Sequence, residues 1–137
     1  MVKLVNLTKD DKALITKARK LARKSYIHNK KIVSDVFSIF ITENGEEFHG
    51  VDIENLVNGI CAETSAISNM ILSGKGNSKL KTVLALYEYP SKYNKYMILP
   101  PCGACRHNLS KFGNPWVFIS KTKKAKLKEL YPLPFKG

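Results

Sequence analysis

Between Lys9 and Tyr26 the apolar positions Leu14, Ala18, Leu21 and Ala22 recur at the spacing of one helix face, and Ser25 closes the row. Thr8 stands before them as an N-cap residue. Asp10 and Asp11 place negative charge in the first turn, where a helix N-terminus favours it. Lys12, Lys17, Arg19, Lys20, Arg23 and Lys24 cover much of the remaining circumference. The pattern predicts an amphipathic helix that starts after Thr8 and ends near Tyr26. The period then changes. Val36-Phe37-Ser38-Ile39-Phe40-Ile41 is rich in β-branched and aromatic residues and predicts a buried strand. Asn44-Gly45 follows, a two-residue hairpin signal with φ > 0 expected at both turn positions, and a return strand is expected from Glu46 to about Ile53.

Gly59 and Ile60 lead into a helix from about Cys61 to Ser73, with Ala66, Ile67, Met70 and Ile71 as its apolar face; the run Gly74-Lys75-Gly76-Asn77-Ser78 stops it. Thr82 to Tyr87 is apolar on both faces and predicts a central strand. Glu88 to Lys95 reads as a polar connection, and Met97-Ile98-Leu99 leads to Pro100-Pro101. A short helix is expected from Gly103 to Phe112, a fourth strand from Trp116 to Ile119, and a short helix from Lys124 to Leu130. Pro132 and Pro134 then fix an irregular tail. This order, without internal repeat or linker, predicts a single layered α/β domain over residues 1–137.

Composition adds constraints. Hydrophobic residues make up 44% and charged residues 25% of the 137, ordinary for a water-soluble domain. No apolar run approaches the roughly 20 residues of a membrane span, and the first residues mix Lys and Asp among the apolar ones, unlike a signal peptide. A cytoplasmic protein is expected. The net charge of +12 is unevenly placed: residues 32–74 hold no Lys or Arg but contain Asp35, Glu43, Glu46, Glu47, Asp52, Glu54 and Glu63. The lysine-rich helix carries no interleaved aromatics, which disfavours single-strand nucleic-acid binding. Its lysines read as a solvated exterior.

The chemistry lies in two short pieces that hold all three cysteines: Cys61-Ala62-Glu63 and Pro101-Cys102-Gly103-Ala104-Cys105-Arg106. In a reducing compartment such cysteines are thiols or metal ligands rather than a disulfide framework. Both pieces sit at expected helix starts, where free N–H groups stabilise thiolates. The CxxC alone is compatible with a redox pair or half a structural zinc site. With Cys61 added, Cys102 and Cys105 complete three of four tetrahedral positions around Zn²⁺ and leave one for water. His28, His49 and His107 read as non-ligands. Glu63, at the helix start, can reach an object beyond the helix end and serve as proton carrier for that water. Three thiolates around Zn²⁺ leave a single net negative charge, and Arg106, adjacent to the last ligand, is the candidate to offset it.

Cys-Ala-Glu followed by Pro-Cys-x-x-Cys is the pattern of the zinc deaminases. At these residues the sequence resembles the cytidine deaminase family, in its free-nucleoside, three-cysteine branch. Gly50-Val51-Asp52-Ile53-Glu54-Asn55, the two cysteine pieces, and Glu129-Leu130-Tyr131-Pro132 before Phe135 are similar to family blocks in the same order. The resemblance covers nearly the whole chain. It implies a cytidine deaminase-like three-layer fold, a mixed β-sheet flanked by helices, with one zinc per subunit. It also implies a homotetramer with active sites near subunit contacts. The implied roles are ribose contacts for Glu54 and Asp52, reading of the pyrimidine by the backbone around Ala62, and packing of Phe135 by the base.

Several positions depart from the family pattern. Asp52 stands where the family has Asn; it can accept from a hydroxyl but cannot donate as an amide does. Thr64 replaces the Arg that follows the catalytic Glu in three-cysteine members, and Ser34 replaces an aromatic. The short loop between Asn55 and Cys61 makes the chain partly similar to blasticidin-S deaminase. The leading expectation is zinc-dependent hydrolytic deamination of cytidine or 2′-deoxycytidine, in a pocket whose acidic lining disfavours phosphates. One alternative is deamination of a cytosine-nucleoside antibiotic such as blasticidin S. Another is a basic nucleic-acid-binding or RNA-editing relative, against which Cys61 in place of His argues.

Overall fold

The computed structural model describes residues 2–89 and 95–136. After β1 (Val5–Asn6), helix α1 (Lys9–Ser25) starts on a reciprocal cap: Asp11 N–H donates to Thr8 Oγ1 at 3.1 Å and Thr8 N–H donates to Asp11 Oδ2 at 2.9 Å. A small ribbon, β2 (Ile27–His28) with β3 (Val33–Ser34), precedes the hairpin β4 (Val36–Thr42) and β5 (Glu47–Val51). Then follow α2 (Ala62–Leu72), β6 (Leu80–Glu88), β7 (Tyr96–Ile98) and α3 (Gly103–Leu109), which continues as a 3-10 turn at Ser110–Phe112. The chain closes with β8 (Trp116–Phe118), β9 (Lys123–Lys126) and α4 (Leu127–Leu130).

The main sheet runs β1-β9-β8-β6-β4-β5, antiparallel except where β6 meets β8. Alternation along the strands separates two cores. Phe37 and Ile39 of β4, Leu84 and Leu86 of β6, and Phe118 of β8 pack with Ile15, Ala18 and Ala22 of α1. Phe40, Val83 and Val117 face the other way, onto Ala66 and Met70 of α2, Leu109 of α3 and Leu127 of α4. Helices thus cover both faces of a mixed sheet, the three-layer α/β arrangement expected from the sequence. Glu88, buried at the end of β6, ties α1 to the sheet by accepting from Arg19 Nε at 2.7 Å and Arg23 Nε at 2.9 Å.

Some elements differ from expectation. Only Gly45 has positive φ in the β4–β5 turn, and Thr42 N–H bonds Glu46 O; the loop has three residues with glycine at its left-handed position, not two. The expected helix from Lys124 is a strand over Lys123–Lys126 followed by one helical turn. Lys has good helix propensity, but pairing decides here: β9 lies between β8 and β1, Lys124 bridges to Asp11 at 2.8 Å, and Lys124 and Lys126 flank the Trp116 ring. Met97 and Ile98 belong to β7, which pairs with the C-terminal half of β6 on the edge that β8 uses lower down. Of the expected Glu88–Lys95 connection, residues 90–94 lie outside the described residues; Glu88 itself completes β6.

Candidate active site

Two chain reversals bring the cysteine pieces together. After β5 the chain makes a short loop closed by Ile53 and Ile60, which exchange both backbone hydrogen bonds at 3.0 and 3.1 Å. Asn58 (φ 68°) and Gly59 (φ 37°) turn it, and the closure leaves Cys61 as the N-cap of α2. α2 lies close against β5 at Gly50: a Cβ there would fall 2.3 Å from Ala62 O and from Ala66 N. On the other side, β7 ends at Ile98 and the chain passes through Leu99-Pro100-Pro101 to Cys102, the N-cap of α3. Both helix N-termini therefore face one place.

The sulfurs of Cys61, Cys102 and Cys105 lie within 4.8 Å of one another, with Cys61 and Cys102 at 4.0 Å. Tetrahedral zinc with bonds of about 2.3 Å separates its sulfurs by about 3.8 Å, so the three thiols fit zinc with small adjustment. Burial raises the Cys61 and Cys105 thiols above their ordinary range, and the Glu63 carboxylate pushes Cys105 further. Burial acts the same way on Cys102, but the N–H of Cys105, 3.5 Å from its sulfur, helps bring that thiol lower. A divalent cation is the group that would displace these protons.

Glu63 is 6% exposed and lines the same cavity, of about 470 Å³, as Cys61 and Cys102. Burial raises its carboxyl above the ordinary value, and the charge on Asp52 adds to this. Ala62, Asp52 and Glu54 also line the cavity, while Val36, Ile60, Leu99 and Pro100 give it apolar walls; no Lys or Arg is among the described residues that line it. Asp52 and Glu54 also cluster with Asp35, the three placing carboxylate oxygens within 4.8 Å of one another. Asp52 Oδ1 accepts from the N–H groups of Asp35 and Val36, both at 2.8 Å. Glu54 shares a hydrogen bond with Asp35 and is pushed up to about 7 by it, by burial and by Asp52.

Asp52 is thus partly a structural anchor between β5 and β4, and only its remaining capacity faces the cavity. Arg106, expected to offset the thiolate charge, is held by two backbone carbonyls. Its Nε donates to Pro101 O at 2.9 Å and its Nη1 to Leu130 O at 3.2 Å. It braces the segment before Cys102 against α4; these two bonds turn the guanidinium to carbonyls rather than to the sulfurs. Phe135 is also not brought to the cavity. It is 72% exposed, its N–H donates to Tyr131 Oη at 3.0 Å, and its ring lies 6.1 Å from that of His107. His107 Nδ1 lies 2.9 Å from Tyr131 Oη, and His49 Nε2 lies 2.6 Å from Glu47, so both rings are engaged away from the cysteines. Sequence reasoning counted Asp35 within the acidic window but gave it no place at the site. The available signal was its position directly before β4, opposite the exit of β5. Asn55, the last residue of the block that carries the resemblance, accepts from Val33 N–H through Oδ1 at 2.9 Å and ties the cavity loop to β3.

This geometry meets a matching record among known proteins. A family profile described as the cytidine and deoxycytidylate deaminase zinc-binding region matches residues 8–121. The chain belongs to this family. Its cofactor is zinc, in keeping with the three-thiol cluster. It is 30% identical over 107 residues to a cytidine deaminase of Sporosarcina psychrophila, covering 77% of this chain and 71% of that one. It is 38% identical over 76 residues to a cytidine deaminase of Mycoplasma genitalium, covering 54% of this chain. The match spans 53% of the Mycoplasma protein, about half its length. The fold matches the cytidine deaminase of Bacillus anthracis with a TM-score of 0.68 at 20% identity, over 90% of this chain and 87% of that one. It matches the cytidine deaminase of Mycobacterium tuberculosis with a TM-score of 0.67 at 21% identity, over 89% and 94%. These matches favour neither the antibiotic-deaminase expectation nor the nucleic-acid one.

Proposed function

We propose that this protein hydrolyses cytidine or 2′-deoxycytidine to the uracil nucleoside and ammonia. The observation that carries the reading is a cluster of three thiols beside a buried carboxylate, Glu63, with Cys61, Cys102 and Glu63 lining one cavity. Cys61, Cys102 and Cys105 would hold the zinc. Bound there, zinc supplies Lewis acidity that makes water a nucleophile at neutral pH. Glu63 takes the proton from that water. It would pass that proton to the ring nitrogen as the water oxygen bonds to the amine-bearing carbon, then move the second proton of that oxygen to the departing amine, so that the C–N bond breaks with ammonia as leaving group. A carboxylate whose affinity for protons is raised by burial suits a group that must both accept and return them.

The rest of the cavity supports a nucleoside. The backbone at Ala62 borders the space where a flat ring would face Glu63. Glu54 and the free face of Asp52 can accept from sugar hydroxyls. Phe135 can pack on a base only across a subunit contact, because its own chain turns it away from its own cavity. That requirement, with Val57, Leu72 and Leu133 among the exposed apolar side chains, supports a homo-oligomer, and the resemblance makes a tetramer the first candidate. No helix among the described residues is long and apolar enough to cross a membrane. Three reduced cysteines grouped as metal ligands suit a cytoplasmic setting, where the activity would serve pyrimidine salvage.

The test is a panel of cytidine, 2′-deoxycytidine and blasticidin S followed by ultraviolet absorbance, with zinc quantified per chain. Turnover of the two plain nucleosides is expected. A zinc-replete protein inert on both, or one that turns over only the antibiotic, would contradict the reading.

A further inference from the structure

The negative charge that three thiolates leave on zinc has to be balanced locally, and Arg106 is engaged with two carbonyls. Another pair of side chains faces the buried sulfur. Thr64 Oγ1 lies 3.8 Å from Cys105 Sγ, and Asn108 Nδ2 lies 3.5 Å from Thr64 Oγ1. Thr64 is three residues beyond Cys61 on α2, and Asn108 is three beyond Cys105 on α3. Each sits one turn behind a cysteine, on the same side of its helix. The direction of the bonds follows from chemistry. A thiolate carries no proton, so the hydroxyl of Thr64 must donate to Cys105. Its only hydrogen is then used, and its lone pairs are left to accept from the Asn108 amide.

We infer that Thr64 and Asn108 form a donor relay that stabilises the Cys105 thiolate and sets how tightly the site holds zinc. The inference rests on the zinc-deaminase reading of the site. Such outer partners orient ligands and tune a metal's surroundings, and donors in series polarise one another. The relay also joins α2 to α3, so the two helices that supply the cysteines are locked in register at the metal. Thr64 and Asn108 are positioning residues; neither is assigned contact with substrate.

The experiment measures zinc affinity by competition with a chelator and records the sulfur-to-metal charge-transfer band of the cobalt-substituted protein. T64V keeps the shape of the side chain and removes the donor. It should weaken zinc retention by about 10- to 100-fold and shift the band. T64S should restore both. N108D, whose carboxylate can only accept, should draw the Thr64 proton away from sulfur and behave like T64V. Thermal unfolding of the metal-free forms should show T64V and wild type both folded. Zinc retention and band unchanged in T64V would overturn the relay alone. Equal losses in T64V and T64S would also overturn it, by making the role one of packing. A wild-type chain that binds no zinc would overturn the proposed function as well.

Discussion

Two clusters beside the cavity present the same problem with opposite solutions. In one, three thiols stand within 4.8 Å of one another; in the other, the carboxylates of Asp35, Asp52 and Glu54 are equally crowded. Like charges at such separations cannot all ionise unaided. The thiol cluster is built on two helix N-termini, is backed by Thr64 and Asn108, and has a shape that fits a divalent cation. The carboxylate cluster sits on strand ends and a short loop. It relieves its crowding by backbone donors to Asp52 and by a hydrogen bond shared between Glu54 and Asp35. One cluster is arranged to hold a metal, the other to keep a proton.

Removing the buried ligand should break the contrast most completely. Cys105→Ala is expected to hold less than about one tenth of a zinc per chain and to lose measurable deamination, since an incomplete ligand set binds zinc far more weakly. Metal analysis after gel filtration reads this directly, and a zinc-replete, folded variant would remove Cys105 from the ligand set. The carboxylate cluster can be probed without mutation. Adding a 5′-phosphate to cytidine should lower kcat/KM by about 100-fold or more, because the described residues that line the cavity include Asp52, Glu54 and Glu63 and no Lys or Arg, and such a lining repels it. Comparable turnover of nucleotide and nucleoside would show that the acidic lining does not meet the sugar.

A smaller effect tests the shared proton. Glu54 rises from an ordinary 4.5 to about 7 on folding. The folded protein therefore binds more protons than the unfolded chain between those values. Its stability is highest below pH 4.5 as far as this group is concerned and declines as pH rises toward 7. Glu54→Gln should flatten that decline in the unfolding temperature and raise KM for cytidine by about 10-fold. Measurements of Tm across this pH window check the first, and steady-state kinetics the second. A variant whose Tm follows the wild-type pH curve would place the proton elsewhere.

What could be read from the chain differed in the same way between the two clusters. Cys61, Glu63, Cys102 and Cys105 were legible because metal ligands require particular residue types at particular spacings, and helix starts are marked by local chemistry. The strand at 36–41, the central strand at 82–87 and α1 were legible from periodicity. Lys123–Lys126 was not, because its local preference is helical and its neighbours β1 and β8 decide its state. The partners of Arg106 were not legible, because nearness in sequence to Cys105 says nothing about the Pro101 and Leu130 carbonyls that its guanidinium meets. Asp35 and Asn108 meet Glu54 and Thr64 from segments whose approach depends on tertiary packing. Phe135 depends on contacts beyond its own cavity.

The central claim is that Glu63 moves the protons of a zinc-dependent deamination, and Glu63→Gln tests it most directly. Cytidine turnover and zinc content should be measured on the same preparation. Zinc should stay at the wild-type level and kcat should fall by about a thousandfold or more. Near wild-type turnover from a zinc-replete Glu63→Gln protein would contradict the claim.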